Sequence, residues 1–303
     1  MTTFLSRAAI LGVSFALAAG AAHARDFKQQ VAADPRGEVG IDNIDGSIVI
    51  TGWDKPAVSV DADLSGDAQR VVVTSTSGRT HVCVTNGSAS CSWLSSSGRA
   101  GSARLEVHVP RGSEIDASAV SAGITTRGVT GSQHLQTVSG EIDAELGSGN
   151  DDVKTVSGSI RLRGGGQDGA LHVSGVSGDL SISNVAGELD ARTVNGKLSA
   201  ELSPARIARL NTTSGSIDLS ARLARGGTIE TETVSGHQTI KAAAAAGYSY
   251  DARSFSGKIE DCFGQQSDRS RYGPGNRLEG TRGAGDGRVR IQSLSGGISL
   301  CDH

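Results

Sequence analysis

The residues able to do chemistry in this 303-residue chain are few and dispersed. Glycoside cleavage needs paired carboxylates around the scissile bond. Two pairs qualify by type, Glu141 with Asp143 and Asp151 with Asp152. Both stand among turn and outward strand positions, where solvated carboxylates are the ordinary finding. After residue 24 the histidines are His81, His108, His134, His172, His237 and His303, with no His-x-x-x-His spacing, and no Cys-x-x-Cys occurs. Zinc-ligand spacing is therefore missing. Ser-Gly pairs abound, but no Gly-x-Ser-x-Gly stands between a strand and a helix, as a nucleophile elbow requires. These serines read as turn formers. The expectation is a chain with no catalytic, cofactor-binding or metal-binding residues.

One stretch has a calcium-like look. Gly147-Ser148-Gly149-Asn150-Asp151-Asp152-Val153 matches a single glycine-rich nonapeptide of the kind that binds calcium between tandem copies. No tandem copy follows, and ordinary Gly/Asn/Asp turn chemistry accounts for it.

What positions these residues is a repeat. Thr137-Val138-Ser139-Gly140-Glu141-Ile142 recurs as Thr155 to Ile160, Val176 to Leu180, Thr193 to Leu198, Thr212 to Ile217, Thr233 to Gly236, Ser254 to Ile259 and Ser293 to Ile298. Weaker copies run from Asn43 to Ile48 and from Val120 to Ile124. A period of about 20 residues suits one coil of a solenoid. Relative to the motif glycine, positions +2 and +4 carry Ile160 and Leu162, or Ile217 and Leu219, and positions −7 and −5 carry Leu171 and Val173. Alternation at period two is the mark of half-buried strands. The glycine breaks each strand at a bend. The Ser/Thr at −3 shares the inward parity, so it should form a buried polar column. The +1 column, with Glu141, Asp179, Lys197 and His237 among others, is a mixed outward surface. The fold class expected is all-β, a β-helix of roughly 20-residue coils with an irregular N-terminal β cap.

The ends complete the organisation. Arg7, an apolar run from Ala8 to Ala22 and the ending Ala22-His23-Ala24 are the three parts of a secretory signal peptide. Residues 1–24 are assigned to it, with cleavage after Ala24. The mature chain then carries 28 basic and 32 acidic residues, a net charge of −4 (28 − 32) with the signs interspersed. That excludes a nucleic-acid groove or a polybasic membrane patch. No second apolar run is long enough to span a bilayer. Residues 25–115 are strand-like but irregular and are expected to cap the stack. Residues 116–303 hold the regular repeat, with an inserted polar loop near 265–282. Its Arg269, Arg271, Tyr272, Arg277 and Arg282 form the candidate binding loop.

Export places the four cysteines in an oxidising compartment. Cys262 and Cys301 each stand five residues after a motif glycine. If residues 265–276 are a loop rather than a coil, the two lie in adjacent coils, about 4.8 Å apart, within disulfide reach. Cys83 and Cys91 flank the hairpin-type turn Asn86-Gly87 and can bond locally.

Gly46-Ser47-Ile48, Val107-His108-Val109-Pro110, the serial Val-Ser-Gly-x-Ile units and the closing Leu294-Ser295-Gly296-Gly297-Ile298 resemble a bacterial family of adhesin-like β-strand-repeat domains of unknown function. The resemblance covers nearly all of the mature chain and implies architecture more than activity. The function expected is an exported, periplasmic or secreted, non-catalytic binding or structural scaffold, whose partner is a protein or a surface polysaccharide. The alternative is a carbohydrate-active β-helix enzyme of lyase or hydrolase type.

Overall fold

A computed structural model describes residues 26–65, 69–86, 102–264, 267–269 and 275–302. The signal-peptide assignment, Cys91, Arg271 and Tyr272 lie outside the described residues. The described chain is all-β, one continuous hydrogen-bonded sheet of 22 strands. Its long strands bend, so that one chain segment serves two ladders of the sheet.

The ladders follow the repeat. Strand Glu114–Arg127 pairs in parallel with Gln133–Thr137 before the bend and with Ile142–Glu145 after it. Ile160 then pairs with Ile142 and Leu180, Leu198 with Leu180 and Ile217, so equivalent motif positions stack on one another. Each such layer is called a rung here and is named by its motif residue. The inward columns are those that parity predicts. Ile142, Ile160, Leu180, Leu198 and Ile217 are at most 1% exposed. Burying each such side chain is worth about 1.5–3 kcal/mol, which is how a chain with so few aromatics fills a core.

The motif glycines form a column of their own. A Cβ on Gly158 would collide with the carbonyl oxygen of Gly140, on Gly178 with Gly158, on Gly196 with Gly178, and on Gly215 with Gly196. Gly178, Gly196 and Gly236 have a positive φ, whereas Gly140, Gly158, Gly215, Gly257 and Gly296 do not. Glycine is required mainly because rungs stack too closely there for a side chain, not because each bend is tight.

The N-terminal segment joins this register. Gly46 pairs with Ala122 and Ile48 with Ile124, so Glu38–Trp53 is itself a rung. Beyond it, Ala57–Leu64 runs antiparallel to Ala103–Pro110 and to Asp26–Ala32, and Gln69–Thr76 forms a hairpin with Arg79–Asn86.

At the other end the rungs leave sequence order. A Cβ on Gly296 would meet the Gly236 carbonyl, and one on Gly257 would meet the Gly296 carbonyl. Correspondingly, Gly287–Ser293 lies between Ile217–Ser235 and Gly247–Ser254, and Ile298–Asp302 between Gln238–Ala244 and Ile259–Asp261. The last rung in sequence is thus threaded between two earlier ones. Cys262 and Cys301 are neighbours as expected and are joined, with a Cα–Cα distance of 5.0 Å. Cys83 is disulfide-bonded as well.

The expected inserted loop is only partly a loop. Asn276–Gly283 is a strand, antiparallel to Gly247–Ser254, and covers the outermost rung. Its sequence shows little alternation because Gly280 and Gly283 occupy two of its positions.

Candidate binding surface

The motif's second residue carries the unexpected feature. Position −3 points inward, so −2 points out; Ile44 at −2 of the first rung is half-buried, and from the next rung on the position carries Val120, Val138, Val156, Val176, Val194, Thr213, Val234, Leu294 and Phe255 in spatial order. The eight apolar members are 40–51% exposed. Among the described residues they are all of the exposed large hydrophobics. They form a single ridge along the corner of the stack, beside a second exposed column of serines that includes Ser139, Ser157, Ser177 and Ser235.

The backbone of the corner is hydrogen-bonded from rung to rung. Ser139 N–H donates to the Val120 carbonyl, Ser157 to Val138 and Ser177 to Val156, each at 2.8 Å; Ser295 donates to Val234 at 2.9 Å. Beneath the ridge, the buried −3 hydroxyls fix the bend. Thr137 Oγ1 accepts from Gly140 N–H and Thr155 Oγ1 from Gly158 N–H, both at 3.0 Å. Ser254 Oγ accepts from Gly257 N–H at 2.8 Å and donates to the Gly296 carbonyl at 3.0 Å. The inward reading of the Ser/Thr column therefore holds; Thr137 and Ser254 bond both within and between rungs, whereas the buried hydroxyls of Thr212 and Thr233 have no hydrogen-bond partner among the described residues.

The faces on either side are charge-compensated. Arg127 pairs with Asp143 at 2.8 Å, Arg161 with Glu141, Arg192 with Asp190 at 2.9 Å, and Arg253 with Asp251 at 2.6 Å. Both carboxylates of the Glu141/Asp143 pair thus have basic partners. The second pair is split by strand parity. Asp152 faces outward to Lys154 at 2.6 Å, whereas Asp151 is buried and accepts the Gln133 backbone N–H at 2.8 Å. Burial pushes the Asp151 carboxyl up to about 6, against the opposing pull of that hydrogen bond. The two carboxylates of the calcium-like stretch are therefore already engaged by the protein's own groups. Among the described residues no group of three or more His, Cys, Asp or Glu is placed to hold a metal ion.

The candidate loop residues divide. Arg277 lies on the outer side of its strand, beside Asp251 at 3.2 Å. It borders a groove of about 560 Å³ at the C-terminal end of the ridge, where Val234, Leu294 and Phe255 meet Glu232, Arg253 and Asn276. Arg282 lies on the other side of that strand. Its guanidinium covers the Phe263 ring at 4.0 Å and donates to Asp302 at 2.6 Å, and Asp302 also accepts from Tyr248 Oη at 3.1 Å. Arg282 is thus part of the packing at the stack's end rather than of a shared surface with Arg277. Arg269 belongs to the two-residue strand Asp268–Arg269. The ridge itself escaped the sequence reading, although its signal was present: an apolar residue repeated at an outward parity.

No helix among the described residues is long and apolar enough to cross a membrane. Among curated proteins no match was found. Solved structures that resemble the chain include a candidate adhesin from Bacteroides fragilis, at 10% identity over 92% of this chain and 97% of that one, with a TM-score of 0.35. A candidate lipid-binding protein from Parabacteroides distasonis matches at 12% identity over 91% and 97%, TM-score 0.35. A candidate cell adhesion protein from Clostridium sporogenes matches at 10% identity over 92% and 100%, TM-score 0.25. The family profile Toastrack DUF4097 matches residues 37–301, and with the stacked repeat spanning that range the chain belongs to the Toastrack DUF4097 family.

Proposed function

We propose that the chain is an exported, non-catalytic binding protein of the cell envelope or its exterior, with the apolar ridge as its contact surface. The carrying observation is that every exposed large hydrophobic among the described residues lies in that one row. Contiguous exposed apolar rows on a soluble surface mark interaction sites. In this reading the rungs form a β-helical solenoid, and the antiparallel strands of residues 25–115 cap its N-terminal end against edge pairing. Export is supported by the Arg7 to Ala24 pattern and by the Cys262–Cys301 bond, which suits an oxidising compartment. The groove beside Phe255 and Arg277, bordering the segment 265–282, serves as a second point of contact. The Glu141/Asp143 ion pairs and the split of Asp151 from Asp152 weigh against paired-carboxylate chemistry.

Saturable binding of the mature chain to isolated envelopes tests this. Val156→Lys/Val194→Lys should weaken that binding at least tenfold with the fold unchanged, since it sets two charges into an apolar contact. Binding that is equal in the variant would overturn the ridge as the contact surface. Turnover of an acidic polysaccharide would overturn the non-catalytic reading.

A further inference from the structure

We infer that His81 is a pH-sensitive clasp: its protonated ring fastens the hairpin of Gln69–Thr76 and Arg79–Asn86 to the first rung, Glu38–Trp53, and deprotonation loosens that hairpin.

Geometry gives the first support. The hairpin meets the first rung through one short parallel ladder, from Glu38 opposite Arg79 to Asp42 opposite Cys83. His81 stands at the centre of that ladder, opposite Gly40. Its Nε2 lies 2.8 Å from Asp42 Oδ2, so the side chain crosses from the hairpin to the rung. A Cβ on Gly40 would come within 2.8 Å of the ring's Cδ2. Glycine at that position is what lets the imidazole lie across the strand and reach Asp42.

The charges around the ring give the second. On its far side Gly40 stands opposite Asp116 of Glu114–Arg127. With no side chain on Gly40, the next outward group along the ladder from His81 is therefore a second carboxylate, and His134 follows it. On the ring's own strand Arg79 opposes the proton, but Arg79 is itself paired with Glu38. Across the hairpin His81 faces the uncharged Thr74. A ring set between two carboxylates holds its proton more firmly in the folded chain than in the unfolded one. Accordingly, the hydrogen bond with Asp42 lifts the imidazole above its ordinary 6.5, against partial burial and Arg79, and Asp116 adds to the rise.

The sign follows from that direction. A raised folded value stabilises the folded form below the unfolded value, and the contribution is lost as pH rises through the folded one. The clasp is closed in mild acid and open in alkali. The His81 side chain is 32% exposed, so the pH it reads is that of the surrounding medium.

Amide exchange of the mature chain at pH 5 and pH 8, corrected for intrinsic rates, tests the inference, with the His81 ring followed by NMR. Protection of residues 80–84 should fall about fivefold or more at the higher pH. Asp42→Asn should abolish that fall and return the ring's midpoint to about 6.5. Gly40→Ala, which crowds the ring away from Asp42, should lower the midpoint in the same direction. Asp151→Asn should leave the fall in place, because that carboxyl lies outside the clasp. Equal protection of the unsubstituted chain at the two pH values overturns the inference, as does a His81 midpoint at or below about 6.5. A fall that survives Asp42→Asn, or that disappears in Asp151→Asn, overturns it as well.

Discussion

The rungs from Gly140 to Gly236 and the two rungs beyond them obey the same motif but not the same order. In the middle, each rung stacks on the one before it in sequence. At the C-terminal end, the Gly296 rung is seated between those of Gly236 and Gly257. The difference shows that the motif specifies a pairing register and not a neighbour. Any rung fits any other, because the inward Ile and Leu, the small glycine and the −3 hydroxyl recur at the same spacing. What sets the order at the end is local: the segment between Asp261 and Gly287 doubles back as a strand over the outermost rung, and the disulfide holds the threaded rung beside it.

The largest effect should come from that disulfide. Opening a closed loop of about 40 residues costs about 4 kcal/mol in the chain-entropy account. Cys262→Ser/Cys301→Ser should therefore speed amide exchange across residues 247–261 and 287–302 while residues 133–223 keep their protection. Equal loss in both regions would show that the rungs open as one unit.

Glycine substitutions should separate the regions next. Gly215→Ala drives a methyl into the Gly196 carbonyl with rungs packed on both sides, and should destabilise by about 3 kcal/mol. Gly257→Ala meets the Gly296 carbonyl, but among the described residues no further motif glycine stacks on its other side, so a smaller loss of about 1 kcal/mol is expected. Denaturant titration of both variants would measure the ratio, and equal losses would contradict the difference between a glycine stacked on both sides and one stacked on a single side.

Asp151 tests the middle stack by pH. Its folded carboxyl titrates near 6 against an ordinary 3.8, so the folded state holds the proton more tightly between those values. The contribution is fully present below pH 3.8 and is lost as pH rises to about 6, amounting to roughly 3 kcal/mol. Asp151→Asn should remove that dependence and still accept the Gln133 N–H; an unchanged pH profile would place the effect elsewhere. The smallest effect belongs to the ridge. Val176→Ser should alter stability by less than about 0.5 kcal/mol, as expected of an exposed side chain, and a larger loss in thermal melting would mean that the ridge is part of the core.

Much of this was legible in the sequence. Period-two alternation about Gly158 or Gly215 gave strand, register and the inward −3 column, because one-face burial fixes the pleat. The Cys262–Cys301 pairing followed from equal offsets to their glycines. The order of the last two rungs was not legible, since identical motifs carry no address. Nor was the strand Asn276–Gly283, whose glycines hide its alternation. The ridge was legible in principle. The motif's second residue stands at an outward parity in every full copy and is apolar in all but Thr213, a pattern masked because apolar residues ordinarily belong to the core.

The account's central claim is that the ridge makes the contact. Hydroxyl-radical footprinting of the mature chain on isolated envelopes reads it directly. Protection is predicted at Val138, Val156, Val194, Leu294 and Phe255 together, with Arg161 and Ser199 on the adjoining face unchanged. Protection of that face with the ridge still open to the radical would contradict it.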